Sequence, residues 1–407
     1  MAEKTEDVNS IIFLVIDGVG DLPTPKTPLQ AAKKPNIDKL ADKGITGLLS
    51  PIKRGTVPGS DTSHLRLFGY DPEIFYPGRG PLEALGIGMH LNEGDIAFRA
   101  NFATVKGGVI IDRRAGRIET GDGKKLEKYL STRIEDVDIV YKHSVDHRGA
   151  VVFRGPGLGE FVSDTDPHAT STSVNKSIAL DKTPQSEKTA RILNKYTEYC
   201  ARVLSEAAEN KERENSGKLP ANILLLRGAG RYRHVPPLDE RFGIKGVCIA
   251  GGALYRGVAR YIGMDLVLLP STEDDKILQE RAYAAVKAAK DYDLVFVHVK
   301  GCDNAGHDGD FNKKREVIER IDRLMIPIIA KSGASIIITG DHSTPVSRKE
   351  HSAHEVPILI YSKEERYDNV KKFDEISCMD GGLGHIRGKD IMPIMLNILK
   401  KSEKYGS

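Results

Sequence analysis

Six consecutive apolar residues, Ile11 to Ile16 (IIFLVI), stand near the start of the chain. An unbroken run rich in β-branched residues predicts a strand buried on both faces, as in a parallel sheet. It runs directly into Asp17-Gly18. Pro35 to Gly44 (PNIDKLADKG) then follows helical spacing, with Gly44 as the stop. A strand followed by a helix opens an α/β unit. The same grammar returns far along the chain. Residues 293–299 (DLVFVHV), 334–339 (ASIIIT) and 356–361 (VPILIY) read as strands. Residues 316–330 carry Ile318, Ile321, Leu324 and Ile328 at helical spacing, and 390–400 (DIMPIMLNILK) read as a closing helix despite Pro393.

Between about residue 90 and 170 the pattern shortens to IAFRANFATV, GGVIIDRRAG, VDIVYKHSV and GAVVFRG, separated by turns. That predicts a more antiparallel α+β unit. A helix follows over residues 183–206, with Ala190, Leu193, Tyr196, Cys200, Val203 and Leu204 on one face. Residues 207–220 (AAENKERENSGKLP) read as a charged connector.

The chain has 407 residues, too many for one ordinary core, so two domains are expected. Apolar residues at 40% and charged residues at 29% describe a soluble globular protein. Sixty Lys and Arg against 57 Asp and Glu leave a net charge of +3, which argues against a nucleic-acid partner but leaves room for basic clusters facing a small anion. No apolar run approaches the ~20 residues that span a bilayer, so no membrane partner is expected. The N-terminal residues carry both signs of charge and lead into no signal-type segment. Cys200, Cys248, Cys302 and Cys378 lack C-x-x-C spacing and read as free thiols, which predicts a cytoplasmic location. Assembly into homo-oligomers is left open.

Three strands end in candidate metal ligands. IIFLVI ends at Asp17, DLVFVHV runs into KGCDNAGH with Asp303 and His307, and ASIIIT runs into Asp341-His342. Ligands in open α/β sheets gather at the carboxyl ends of strands, so these ends converge on one place. His351, just before VPILIY, can reach it. Mixed carboxylate and imidazole donors suit Mn, Zn, Co or Fe, whereas Mg prefers oxygen. So many donors exceed the needs of one catalytic ion and point to two, as in phosphoryl transfer. A nucleophile is offered by VPGSDTSHLRLFGY, read as a turn entering a helix with Ser60 at its N-terminus, where an anion is favoured. Ser63 and Thr62 are rivals.

These motifs together resemble the cofactor-independent phosphoglycerate mutases of the alkaline phosphatase superfamily, the archaeal branch in particular. VIDGVGD, PNIDKLADKG, PGSDTSHLRLFGYDP, NFATVKGGVIIDRRAGR, GAVVFRGPGL, SDTDPH, VHVKGCDNAGHDGD, TGDHSTP and GGLGHIRGKDIMP follow that branch in order across nearly the whole chain. The resemblance implies an α/β fold: an alkaline phosphatase-like core with a mostly parallel sheet flanked by helices, plus an inserted smaller α+β domain. Residues 1–89 and 271–407 would form the metal-binding catalytic domain and 90–270 the inserted substrate-binding domain. By resemblance, Ser60 is the phosphorylated serine. Asp303, His307 and His351 match one metal site; Asp17, Ser60, Asp341 and His342 match the other. His354 competes with His351. Asp112 and Arg113 match the substrate grip, with Arg114, Arg117, Arg148, Arg154, Asp166, His168, Arg227 and Lys245 as further candidates. Residues 269–276 (LPSTEDDK) depart from the Gly-rich segment of that branch, which bears on hinge geometry.

The implied activity interconverts 3-phosphoglycerate and 2-phosphoglycerate, in glycolysis and gluconeogenesis, through a phosphoserine. It needs two divalent ions (Mn, Co, Zn or Mg) and no 2,3-bisphosphoglycerate, and its partner is a small phosphorylated substrate. A phosphatase or phosphonate hydrolase, and a homoserine kinase-like phosphotransferase, are the alternatives on the same fold.

Overall fold

A computed structural model describes residues 8–404 and 406, so the reading of the N-terminal stretch lies outside the described residues. The described residues form two compact units, one from those within 1–76 and 236–407 and the other from 77–235.

The first unit is built on an eight-stranded sheet. Edge to edge its strands are Asp265–Leu266, Gly246–Ile249, Leu294–Val299, Ile11–Ile16, Ser335–Thr339, Val356–Tyr361, Ile45–Ser50 and Gly384–Arg387. The first five run parallel to one another. Val356–Tyr361 is antiparallel to both its neighbours. Every residue of Ile11–Ile16 is buried, which is why the run lacks alternation. On one face Ile12, Leu14 and Ile16 share a core with Ile318 and Ile321 of the helix Phe311–Leu324. On the other face Phe13 packs edge-on to Phe68 at 6.1 Å between ring centres. Each such side chain contributes about 1.5–3 kcal/mol by its burial. Among the described residues no helix is long and apolar enough to cross a membrane. All four cysteines are free and buried.

The second unit is a mostly antiparallel sheet. Its strands run in the order Val109–Asp112, Ile96–Lys106, Arg148–Arg154, Val137–His143 and Thr132–Ile134, and Ile223–Arg231 also pairs with Ile96–Lys106. The helix Pro184–Glu206 starts at Thr183, whose hydroxyl accepts from the Ser186 amide. It buries Leu193, Tyr196, Cys200 and Leu204 against Phe98, Phe102 and Phe153.

Three sequence expectations are corrected here. The inner boundaries fall at 76/77 and 235/236, not at 89/90 and 270/271. Residues 77–89 go with the second unit because the helix Arg79–Gly86 lies on Ile96–Lys106, so close that a Cβ on Gly80 would stand 2.0 Å from the Ala97 carbonyl oxygen. Residues 236–270 belong to the first unit because Gly246–Ile249 pairs with Leu294–Val299. Residues 269–276 are therefore not a linker between units. Arg256 donates to the Leu269 carbonyl at 2.8 Å, Arg281 donates to that of Thr272 at 3.1 Å, and Asp274 caps the helix Asp275–Ala288. The charged connector contains the helix Ala208–Asn215, whose inner face is polar: Asn210 and Arg213 are buried and hold the Leu204 and Leu219 carbonyls.

Candidate metal and phosphoryl-transfer site

Register fixes where the site lies. Ile16 pairs with Val299, and Val15 with Thr339, so continuing the register brings Asp17 out of the sheet between Lys300 and Asp341. Asp17 is fully buried. The helix Gly301–Asp308 begins immediately after Leu294–Val299 and carries Asp303 and His307 one turn apart. Gly18, at φ +63°, lets the chain turn here: a Cβ would lie 2.8 Å from the Asp303 Cα.

Two groups of donor atoms form, each within 4.8 Å: Asp303, His307 and His351, and Asp17, Asp303 and His342. Asp341 joins the second through His342, whose Nε2 is 3.3 Å from Asp341 Oδ2 and 3.3 Å from Asp17 Oδ1. Each exposed-edge histidine is aimed by its far nitrogen. His307 Nδ1 lies 2.9 Å from the Lys349 carbonyl oxygen and His351 Nδ1 lies 3.0 Å from that of Pro58, so both must donate there. Their Nε2 lone pairs are left to face Asp303, at 3.3 and 3.5 Å. His354 instead faces Ser352 Oγ at 2.9 Å. The hydroxyl of Thr344 donates to Asp303 Oδ1 at 2.9 Å and sits 3.0 Å from His342 Nδ1, which orients that ring as well.

The helix Ser60–Leu67 starts after extended Gly59, which puts Ser60 at its first position. Ser60 Oγ lies 3.2 Å from His342 Nε2. Thr62 is turned away, donating to the Gly59 carbonyl at 3.1 Å, and among the described residues the buried Ser63 hydroxyl has no hydrogen-bond partner. One turn on, His64 Nδ1 reaches the Ser60 carbonyl oxygen at 2.6 Å.

The charges are unbalanced. Burial would raise the Asp17 carboxyl, yet Lys300, His298 and His342 hold it well below the usual range. Burial and the adjacent Asp17 push Asp341 up. Burial would lower His342, but Asp341 and Asp17 drive it up to about 9. Burial takes His298 down to about 4 against the pull of Asp17. Asp17 Oδ1 and Asp341 Oδ2 are buried, and among the described residues neither accepts a well-aligned hydrogen bond; each lies 3.3 Å from His342 Nε2. Several buried carboxylates sharing so few well-aligned donors are unfavourable unless a cation joins them. The donor set therefore fits divalent metal.

Lys300, Tyr255, His298 and His64 escaped the sequence reading. Lys300 Nζ lies 3.1 Å from Asp17 Oδ2 and 2.7 Å from Asp303 Oδ2, joining both donor groups. Tyr255 donates a very short hydrogen bond to Asp17 Oδ2. Lys300 stands inside the KGCDNAGH motif and was open to detection. Tyr255 comes from the helix Ala253–Tyr261, which has no ligand spacing to reveal it.

The second unit carries a separate basic cluster. Arg113 makes a fork to buried Asp166 at 3.0 and 2.7 Å. Arg227 Nε is 3.8 Å from the same carboxylate, and burial pushes this arginine down. His168 donates its amide to Asp166 at 2.9 Å. Asp112 caps its own turn, accepting from the Arg114 amide at 2.6 Å, and Arg117 is exposed on the loop that follows. Arg99, lowered to about 10 by burial despite Glu83, also feels Arg79, Arg227 and Arg148. His147 is lowered to about 4 by burial and by Arg148 and Arg114. Arg79, Arg99 and His147 were not anticipated; the signal for Arg99 is a charge interrupting the apolar strand IAFRANF.

Two expected substrate residues lie elsewhere. Arg154 and Arg148 stand at opposite ends of one strand, ~20 Å apart at ~3.3 Å per residue, and Arg154 grips Asp95 at 2.7 Å. Lys245 precedes Gly246–Ile249, at the amino edge of the parallel strands, opposite Asp17; its amide bonds Asp293 Oδ2 at 2.8 Å.

Comparison with known proteins adds a family. The model of a family described as 2,3-bisphosphoglycerate-independent phosphoglycerate mutase matches residues 41–210. The chain is 44% identical over 405 residues to 2,3-bisphosphoglycerate-independent phosphoglycerate mutase 1 of Methanocaldococcus jannaschii, covering 97% of this chain and 98% of that one. It is 44% identical to the mutase of Pyrobaculum islandicum, covering 98% and 99%. Among solved structures, the PH0037 protein from Pyrococcus horikoshii matches with a TM-score of 0.84 and 36% identity over 98% of this chain and 100% of that one. The cofactor-independent phosphoglycerate mutase from Thermoplasma acidophilum matches with a TM-score of 0.69 and 38% identity over 96% and 100%.

Proposed function

The chain belongs to the family of 2,3-bisphosphoglycerate-independent phosphoglycerate mutases, an isomerase family, and from that premise we propose that it interconverts 3-phosphoglycerate and 2-phosphoglycerate through a phosphoserine on Ser60. The observation that carries the reading is the placement of Ser60 Oγ, 3.2 Å from His342 Nε2 at a helix N-terminus and against the buried acid–imidazole cluster. Asp303, His307 and His351 would hold one divalent ion, and Asp17, Ser60, Asp341 and His342 a second. Such ions, Mn, Co, Zn or Mg, supply Lewis acidity to the serine hydroxyl and to the phosphoryl oxygens.

In the first half-reaction Ser60 Oγ bonds to phosphorus and the bond from phosphorus to the 3-oxygen of glycerate breaks. The proton that leaves the serine hydroxyl is the one the departing glycerate oxygen gains, so the half-reaction balances. The second half-reaction reverses these roles with the 2-hydroxyl as acceptor. The N-terminal amides of Ser60–Leu67 favour the phosphoserine anion. Lys300, rather than Lys245, stabilises the negative charge that spreads over the phosphoryl group. Arg113, Arg148 and Arg227, with Arg79 and Arg99, hold the glycerate carboxylate during its reorientation. Ser60 is 7% exposed, and water must be kept from the phosphoserine because hydrolysis would otherwise replace transfer.

The test is phosphopeptide mass spectrometry after rapid acid quench of enzyme turning over 3-phosphoglycerate. Phosphate on Ser60 is expected. A fully active enzyme with phosphate only on Ser63 or Thr62 would overturn the assignment.

A further inference from the structure

Lys314 is a fully buried lysine in the helix Phe311–Leu324, and it touches neither donor group directly. Its ammonium has three protons and spends all of them on two loops. It donates to the Gly20 carbonyl at 3.0 Å, to Asp21 Oδ2 at 2.9 Å and to the Thr344 carbonyl at 2.9 Å. The first loop follows Asp17. The second follows Asp341-His342, and its Thr344 hydroxyl bonds Asp303 Oδ1 and meets His342 Nδ1. Asp21 closes the link by accepting from the Val346 amide at 3.1 Å. A single buried cation thus ties together the loops that carry or orient ligands from all three strand ends.

We infer that Lys314 is a positioning residue for metal binding: it locks the loops after Asp17 and after His342 in the spacing at which their ligands share an ion. This inference rests on the metal site proposed above. A buried ammonium is costly unless all its protons are used, so a purely packing role would be served better by an apolar side chain. Residues that orient metal ligands through hydrogen bonds typically hold a 10- to 100-fold share of affinity.

The experiment titrates Mn²⁺ into the chelator-stripped full chain by calorimetry, and follows melting in chelator. Four proteins are compared: wild type, Lys314→Met, Lys314→Met with Asp21→Asn, and Ile321→Ala, a core change on the same helix. Lys314→Met should weaken Mn²⁺ binding by about 10- to 100-fold and lower the melting temperature, because it strands the Asp21 carboxylate. The double variant should recover melting temperature but not affinity, and it carries the test if the single variant does not fold. Ile321→Ala should lose melting temperature and keep its affinity. The inference is overturned if the Lys314 variants bind Mn²⁺ like wild type, or if affinity merely follows melting temperature across all four. Absence of binding by the wild type would instead remove the metal reading on which the inference stands.

Discussion

Ser60, Thr62 and Ser63 lie within four positions, and the start of the helix separates them. Ser60 at the first position looks into the cluster, whereas Thr62 bonds back to Gly59. Ser60→Ala should therefore lower mutase turnover by at least about 10⁴-fold. Its melting temperature should change little, since one hydrogen bond is worth about 1 kcal/mol; substantial turnover in steady-state assays would refute the nucleophile. Lys300 contacts both Asp17 and Asp303. Lys300→Met should cost about 10²–10³ in kcat, while Lys245→Ala should leave kcat/KM nearly unchanged; the reverse ranking would restore Lys245 to the site. Glu375 supplies a pH prediction. Burial lifts its carboxyl from 4.5 to about 7, against the hydrogen bonds from Thr27 and Asp21. The folded protein then holds a proton that the unfolded chain has released between these values. This contribution is complete below pH 4.5 and is lost as pH rises through 7. It amounts to about 3 kcal/mol at most. Denaturant titrations at pH 5 and pH 8 should show a smaller stability difference in Glu375→Gln than in wild type, and equal differences would contradict the burial argument.

At the scale of elements, what was legible followed burial. Ile11–Ile16, Leu294–Val299, Ser335–Thr339 and Val356–Tyr361 are mostly apolar runs because they are covered on both faces, and the ends of the first three pointed to the candidate donors Asp17, Asp303, His307, Asp341 and His342. Ala208–Asn215 was hidden because its buried side is Asn210 and Arg213, so no apolar period marks it. Gly246–Ile249 has four residues and Asp265–Leu266 two, too short for any period to emerge. Misplacing these moved a domain boundary by more than thirty residues. Position within an element was harder still to read. Composition does not say that Lys245 opens a strand whose parallel neighbours close at the site, nor that Arg148 and Arg154 sit at opposite ends of one strand. Arg113→Ala should consequently lower kcat/KM by about 10- to 100-fold through loss of a charged fork, and Arg154→Ala should lower it by less than about threefold. Equal losses in a kinetic comparison would undo this distinction.

For the whole molecule, the site draws on residue 17 at one end of the chain and residue 351 near the other, which is possible because the strand after Asp293 and the strand after Ala334 flank Ile11–Ile16. The sheet of the first unit thus gathers the acid–imidazole cluster, and the second unit carries its own cluster of arginines. The relatives extend over 97% of the chain, so both parts belong to the shared family plan. The central claim is a transfer that needs metal and the protein's own serine but no external phosphate donor. It is tested most directly by incubating chelator-stripped protein with 3-phosphoglycerate, without 2,3-bisphosphoglycerate, and adding Mn, Co, Zn or Mg singly. The account predicts 2-phosphoglycerate formation that appears only with metal and releases little free phosphate. Stoichiometric phosphate release, or full mutase activity in the presence of excess chelator, would contradict it.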